Sequence, residues 1–353
     1  MQLLLLNLIG SILLALVISN SKMKYNTKRK VYCLFAFGSI CVLRTFVDPK
    51  SLPDLETYIQ IFEVSRDLSW GQVLGGEGLV LSEYGYMILN KLCADITKNP
   101  QLIFFVVSMI WIISYHKFFK RYSPYFAVPV LLLLVTEFSQ SLFVLRQHLA
   151  MAIWLFSYPY IINRDLKRFC LVALAAFSMH MSSVMFIPIY FFYGMSDKKK
   201  LVSAMLLMSV GCVFIFSHLG QFNDSLGLSY DNYITGTKSG FSNLTDFIMR
   251  LSYLLSYIIV LKNRIFEQGI NRLLLVILVF STILAFFGTS FSLLGRLIRY
   301  FTPAVMIMVP IVMQQIRRKI IRYGYFVAIL LLNTISIFMG SMSEWIKDFK
   351  LLF

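Results

Sequence analysis

Arg296 and Arg299 stand at i and i+3 in the stretch Leu294-Gly295-Arg296-Leu297-Ile298-Arg299-Tyr300, where an apolar run meets polar sequence. At that spacing the two guanidinium groups share one helical face and repel each other. A dianionic or diphosphate ligand between them reverses the sign of that interaction, and planar guanidinium forks suit such a ligand. A basic cap anchored by Tyr300 is the plainer account; the scarcity of basic residues in this part of the chain favours phosphate. Arg146 lies in a turn between two apolar runs, Ser139-Gln140-Ser141-Leu142-Phe143-Val144-Leu145-Arg146-Gln147-His148. Its position fits an anion contact at a cavity mouth as well as snorkelling or a pair with Glu137. His180 sits in Met179-His180-Met181-Ser182-Ser183, between two apolar runs that no polar loop separates. A lone histidine there is usually satisfied by a backbone carbonyl, but an imidazole at an apex beside two serines can also do proton chemistry.

Other charges read as structural. Asp246 and Arg250 are at i and i+4 with the acid first, the favourable order for a helix ion pair. The segment 48–100 mixes acids (Asp54, Glu56, Glu83) with aromatics (Tyr58, Trp70, Tyr84), a blend that suits sugar hydroxyls and ring faces and equally suits a solvated amphipathic surface. Asp54 and Glu56 flank Leu55 and could share a divalent ion through oxygen ligands, but two carboxylates are a weak signal and surface decoration is the better account. Gly75-Gly76-Glu77-Gly78 has no phosphate-loop spacing, and the metalloprotease and serine-hydrolase motifs are missing from the sequence. The five cysteines (Cys33, Cys41, Cys93, Cys170, Cys212) show no C-x-x-C spacing, so neither a disulfide framework nor a zinc site is expected.

The elements that position these residues are membrane helices. Of 353 residues, 58% are apolar and only 14% charged, against about 25% charged in soluble domains; an ordinary soluble enzyme and a disordered chain are both excluded. The expected fold is an all-α polytopic membrane protein of one domain, residues 1–353, with about twelve transmembrane helices. Apolar runs fall near 2–19, 31–47, 101–116, 125–143, 146–162, 169–181, 182–195, 201–219, 244–261, 273–291, 300–316 and 323–340. Two of these, 169–181 and 182–195, are short and meet near His180, as half-length helices do inside a bundle. Two longer polar segments remain: 48–100, expected to be an outer-side loop carrying an amphipathic helix, and 220–243.

Basic residues orient the bundle. With the N-terminus outside, the inner turns are 20–30, 117–123, 163–168, 196–200, 262–272 and 317–322. They hold 21 of the 33 basic residues and only three acids, Asp165, Asp197 and Glu267. That is the positive-inside pattern, so the net charge of +16 describes topology and not a nucleic-acid partner. Residues 2–19 read as a first span, not as a cleavable leader, because Lys22, Lys24, Lys28, Arg29 and Lys30 follow the apolar run.

Several stretches together resemble the EpsG family of Wzy-like polysaccharide polymerases. They are Leu43-Arg44 followed by Asp54, Tyr58 and Phe62 at four-residue intervals; Glu83-Tyr84-Gly85-Tyr86; Leu145-Arg146-Gln147-His148-Leu149-Ala150; Ser178-Met179-His180-Met181-Ser182-Ser183 with Pro188; and Arg296-Leu297-Ile298-Arg299-Tyr300-Phe301. One departure is Pro53 before Asp54, where the family often carries glycine. The resemblance implies a cytoplasmic-membrane enzyme that joins polyprenyl-diphosphate-linked oligosaccharide repeat units at the outer face, for a capsule, exopolysaccharide or O-antigen. Its layout is similar to those of GT-C-type glycosyltransferases and O-antigen ligases. It implies no cofactor and no metal, with membrane lipid and a chain-length regulator as partners. In that setting Arg146, Arg296 and Arg299 would clamp the leaving diphosphate, and His180 would be a general base or an orienting contact. Asp54, Tyr58 and Glu83 would bind sugar, and Arg44, Gln147 and Tyr300 would belong to the substrate site. A glycan ligase needs the same clamp. A flippase would need broken helices in both halves, and only 169–195 offers one. An O-acyltransferase would need an acyl donor that the arginine set does not favour.

Overall fold

The computed structural model describes residues 2–78, 83–217, 240–288, 292–339 and 346–352. Among these the chain is helical, with one isolated β-bridge between Val47 and Leu351. The polar segment expected at 220–243 lies, through residue 239, outside the described residues. Among the described residues, six helices are long and apolar enough to cross a membrane: Gln2–Asn20, Gln101–Tyr122, Leu244–Phe266, Ile270–Gly288, Leu294–Gln315 and Lys319–Ser336. Their backbone groups are satisfied within each helix, which is what a hydrocarbon environment demands. The protein is a multi-pass membrane protein.

The expected runs 31–47 and 201–219 fall on the continuous helices Tyr25–Thr45 and Lys198–Ser217, whereas the remaining runs are helical but interrupted. The run 125–143 becomes Ala127–Thr136 followed by the short turn Phe138–Ser141. The run 146–162 divides into Leu145–Trp154, a 3-10 turn at Leu155–Ser157 and Tyr158–Ile162. Ten residues at 1.5 Å each reach about 15 Å, half of a ~30 Å hydrocarbon core. The pair around His180 has the expected half-length form. Leu166–Met179 ends where His180 turns extended (φ −160°, ψ 122°), and a 3-10 stretch, Met181–Phe186, leads into Pro188–Gly194. Such breaks are tolerated at membrane depth only inside protein or beside a watery cavity, and here they coincide with Glu137, Arg146 and His180.

Thr302–Gln315 is the central helix, with every residue from Thr302 to Met313 buried. Aromatic rings join its start to the broken helices: Phe301 stacks on Phe186 (5.7 Å between ring centroids), and Phe186 meets Trp154 at 4.9 Å. The start of this helix is thereby fixed against the stretch that follows His180.

Within 48–100, Leu55–Asp67 is amphipathic as expected. It buries Leu55, Tyr58, Ile61, Phe62 and Ser65 and exposes Glu56, Gln60 and Glu63, the 3.6-residue period of a half-buried helix. It packs on Tyr84–Ile96. That second helix in turn lies so close to Leu166–Met179 that a Cβ on Gly85 would fall 2.3 Å from the Ser178 hydroxyl oxygen and 2.8 Å from its Cβ. Only glycine fits at 85. The close approach brings Glu83, two residues earlier, to His180, two residues beyond Ser178.

Candidate functional site

Glu83 is the hub. It is 1% exposed, at the start of Tyr84–Ile96, and both carboxylate oxygens are engaged. Oε1 accepts from the Nδ1 side of His180 at 2.5 Å, and Oε2 accepts from the Arg146 guanidinium at 2.6 Å. The side chains of Arg146 and His180 keep 17% and 22% exposure, so each keeps an open edge while the carboxylate holds the other. A histidine that donates through Nδ1 carries its lone pair on Nε2, where it can accept a proton. The Arg146 carboxylate partner is therefore Glu83 and not Glu137.

Arg146 begins the Leu145–Trp154 helix, and its guanidinium lies over the Tyr58 ring, 5.7 Å from the centroid. Its Nε is buried without a hydrogen-bond partner among the described residues, so Arg146 keeps donor capacity beyond the Glu83 contact. Burial pushes the Tyr58 hydroxyl above its ordinary range, with the nearby Arg146 charge opposing the shift. Asp54 stands one helical turn before Tyr58, at an exposed edge. It takes a left-handed conformation (φ 63°) and its carbonyl accepts the Tyr58 N–H at 3.2 Å. Aspartate tolerates that region better than most residues, so the turn forms directly after Pro53.

Two hydrogen bonds tie this half of the site to the arginine pair. Gln147 donates from Nε2 to the Arg296 carbonyl at 2.7 Å, and the Ser182 and Tyr300 hydroxyls meet at 3.0 Å. Arg296 is exposed and Arg299 half-buried. The structure thus brings together Arg146, Gln147, His180, Arg296 and Tyr300, with Arg299 next to Tyr300 in the chain, and it adds Glu83 as the centre of the group.

A second acidic centre adjoins it. Glu137, 2% exposed, meets His148 Nε2 at 3.0 Å, and His148 Nδ1 meets the Val144 carbonyl at 2.9 Å. Both ring nitrogens face oxygen, so the imidazole is held from both sides. Glu137 is also close enough to act electrostatically on Arg299 and Arg250. Arg250 is directed differently from the sequence expectation. Its Nη2 donates to the Thr302 hydroxyl at 3.3 Å, at the start of the central helix, with Asp246 within electrostatic range. The helix spacing that suggested a self-contained ion pair could not reveal that Thr302 stands opposite.

Arg44 is fully buried. It donates through Nε to Ser108 at 3.3 Å and through Nη1 to the Ser141 carbonyl at 2.5 Å, and its guanidinium lies 4.6 Å from the Trp111 centroid. Ser141 closes the short turn before Arg146, so Arg44 braces the break from behind. Asp54 and Glu56 are both exposed, and no cluster of three or more histidine, cysteine, aspartate or glutamate residues placed to hold a metal occurs among the described residues.

Broken helices around a buried acid, an imidazole and several guanidinium groups define a membrane protein with a polar reaction or binding centre. Residues 30–348 match the EpsG family, so the chain belongs to it, and EpsG is a Wzy-like polysaccharide polymerase family. No curated protein and no solved structure matches the chain.

Proposed function

We propose that this protein polymerises polyprenyl-diphosphate-linked oligosaccharide repeat units of a bacterial surface polysaccharide at the outer face of the cytoplasmic membrane. The observation that carries the reading is the Glu83 carboxylate holding His180 at 2.5 Å and Arg146 at 2.6 Å, a base and a cation fixed side by side. An acceptor hydroxyl attacks the donor's anomeric carbon, its proton passes to His180 Nε2, and the bond from that carbon to the diphosphate oxygen breaks. The diphosphate leaves with the electron pair. Arg146, Arg296 and Arg299 take up the charge that gathers on it; donors already in place at that moment stabilise developing charge most effectively. Arg250, aimed at the start of the same central helix, adds a fourth cation that attracts the diphosphate as the donor binds.

Glu83 positions His180 and Arg146 in this scheme; with both oxygens engaged, it is better suited to that than to contacting sugar. Asp54 and Tyr58 line the sugar entrance, and Gln147 and Tyr300 hold the two halves in register. Arg44 sets the turn before Arg146. The clamp works through guanidinium groups and needs no metal. The proposed topology has twelve spans in a single domain with the N-terminus outside, and a chain-length regulator is an expected partner.

The test is incubation of purified protein with its organism's lipid-linked repeat unit, followed by gel separation. A glycan ladder with loss of the monomer band supports polymerase activity, and its disappearance in Arg299→Ala supports the clamp. Transfer of a single glycan to a different acceptor would assign the protein as a ligase. Intact lipid substrate protected from periodate in sealed vesicles would assign it as a transporter.

A further inference from the structure

A second site lies at the far end of the central helix. Thr302–Gln315 has 14 residues and so runs about 20 Å from the arginine site. There a cavity of about 530 Å³ opens between the end of Gln101–Tyr122, the connection 261–271 and the last turn of Thr302–Gln315. Small-molecule sites occupy roughly 300–1,000 Å³. These helix ends carry the turns that the distribution of lysine and arginine assigns to the cytoplasm.

The lining has a specific chemistry. Arg121 and Arg264 bring guanidinium groups from two different elements, and both residues are exposed. Arg264 is steadied by donating to the Gln315 side-chain carbonyl at 2.7 Å. Arg121 lies over the Tyr122 ring, 5.5 Å from its centroid. The Tyr122 hydroxyl is buried and has no hydrogen-bond partner among the described residues, and Tyr122 lines the cavity. Glu267, Asn271 and Gln314 supply further acceptors and donors, while Leu261, Ile270 and Ile311 form an apolar wall.

We propose that this cavity binds a phosphate-bearing ligand with neighbouring hydroxyl groups. Two guanidiniums against one carboxylate leave the cavity net positive and fit a phosphate, and Glu267 with the side-chain amides fits the hydroxyls. Basic pockets between membrane helices on the cytoplasmic side commonly take anionic lipid head groups, and the apolar wall suits an acyl chain; a soluble sugar or glycerol phosphate carries the same polar chemistry. The inference is independent of the polymerase reading, because none of these residues belongs to the arginine site.

The test uses full-length purified protein, delipidated in detergent, with thermal unfolding followed on titration of phosphatidylglycerol, phosphatidylcholine and glycerol 3-phosphate. Phosphatidylglycerol should stabilise the protein in a saturable way and phosphatidylcholine should not. Stabilisation by glycerol 3-phosphate as well assigns a soluble ligand, and stabilisation by the lipid alone assigns the inner leaflet. The double variant Arg121→Gln with Arg264→Gln should weaken the apparent affinity about a hundredfold, as expected for two lost charge-assisted hydrogen bonds. Gln314→Trp, at an exposed position, should block the cavity while both arginines remain, and it decides the matter if the double variant does not fold. Equal stabilisation by both lipids, equal affinity in wild type and variants, or no saturable binding of either phosphate overturns the proposal.

Discussion

Replacing Glu83 with glutamine is the sharpest perturbation of the site. The amide keeps the size of the carboxylate but not its charge, and it replaces one acceptor oxygen with a donor NH2. Arg146 therefore loses its counter-ion, and either His180 or Arg146 faces a donor instead of an acceptor. Breaking a buried ion pair by neutralising one partner costs about 3–5 kcal/mol. Arg146 and His180 retain 17% and 22% exposure, so water can solvate part of what is orphaned, and the loss should fall at the lower end, about 3 kcal/mol. Activity should suffer more. A misdirected general base alone costs about 10²–10⁴-fold, and displacement of Arg146 adds to it. Glu83→Asp tests geometry separately: the charge stays, but the shorter side chain cannot span contacts of 2.5 and 2.6 Å to two groups at once.

The assay is chain extension on lipid-linked substrate at a fixed amount of folded protein, with thermal unfolding run in parallel. A double-mutant cycle of Glu83→Gln with Arg146→Met isolates the coupling. Residues in direct contact show interaction energies of about 0.5–3 kcal/mol, so the double variant should be less destabilised than the sum of the two single ones, because removing both charges leaves no orphan. Near-normal ladder length in Glu83→Gln, or strict additivity in the cycle, would refute the hub.

Other outcomes follow from the same geometry. Gly85→Ala should destabilise the protein by about 1–3 kcal/mol, the usual cost of overpacking, since its Cβ would sit 2.8 Å from that of Ser178; Ser178→Gly in the same chain should restore both melting temperature and extension. Arg250→Ala should slow extension on purified substrate by tenfold or more, about the worth of one charge-assisted hydrogen bond, while Asp246→Asn should change it little; equal effects would restore the simple ion pair. Chelation by EDTA should leave extension intact, and recovery of a lost activity by added Mg²⁺ would overturn the metal-free clamp. Hydrogen bonds from Lys91 and Trp70 to Asp95, both 2.8 Å, hold that carboxyl below its ordinary range. A lowered folded-state pKa gives stability that is present above the unfolded value near 3.9 and is lost as pH falls through the folded value. Melting curves of Asp95→Asn should therefore converge on wild type once the pH has fallen well below that unfolded value.

The sequence carried the class of fold because lipid leaves few options: apolar runs must be helices, and basic turns must face one way. It carried the break at His180 because two short runs without a polar loop cannot both cross. It did not carry the break at Thr136–Leu145, since a half-length helix followed by a buried turn reads as one continuous apolar stretch when only hydropathy is considered. The site residues were legible as types, but their pairing was not. Arg146 had Glu137 nine positions away, yet its partner is Glu83, 63 positions away, brought there by the glycine contact at Gly85. That glycine stood in the quoted motif Glu83-Tyr84-Gly85-Tyr86 and is the one local signal of a close helix approach.

The two acidic centres explain how so many cations coexist at the membrane. Glu83 neutralises Arg146, and Glu137 is engaged by His148. Neither acid can fully screen Arg299 and Arg250 as well, and Asp246 is exposed to solvent. The guanidinium groups nearest the central helix are thus held in place by a hydroxyl, by helix packing and by distant charge. That arrangement keeps the empty protein foldable, because no cation is left beside another without an acid in range. It also leaves attraction in reserve for an incoming anion. Substituting Thr302 with valine removes the hydrogen bond from Arg250 to the start of the central helix. If that reserve is what binds diphosphate, the Thr302→Val protein should need more lipid-linked donor to reach half-maximal rate while its maximal rate falls little. A fall in maximal rate alone would place Arg250 in the chemical step.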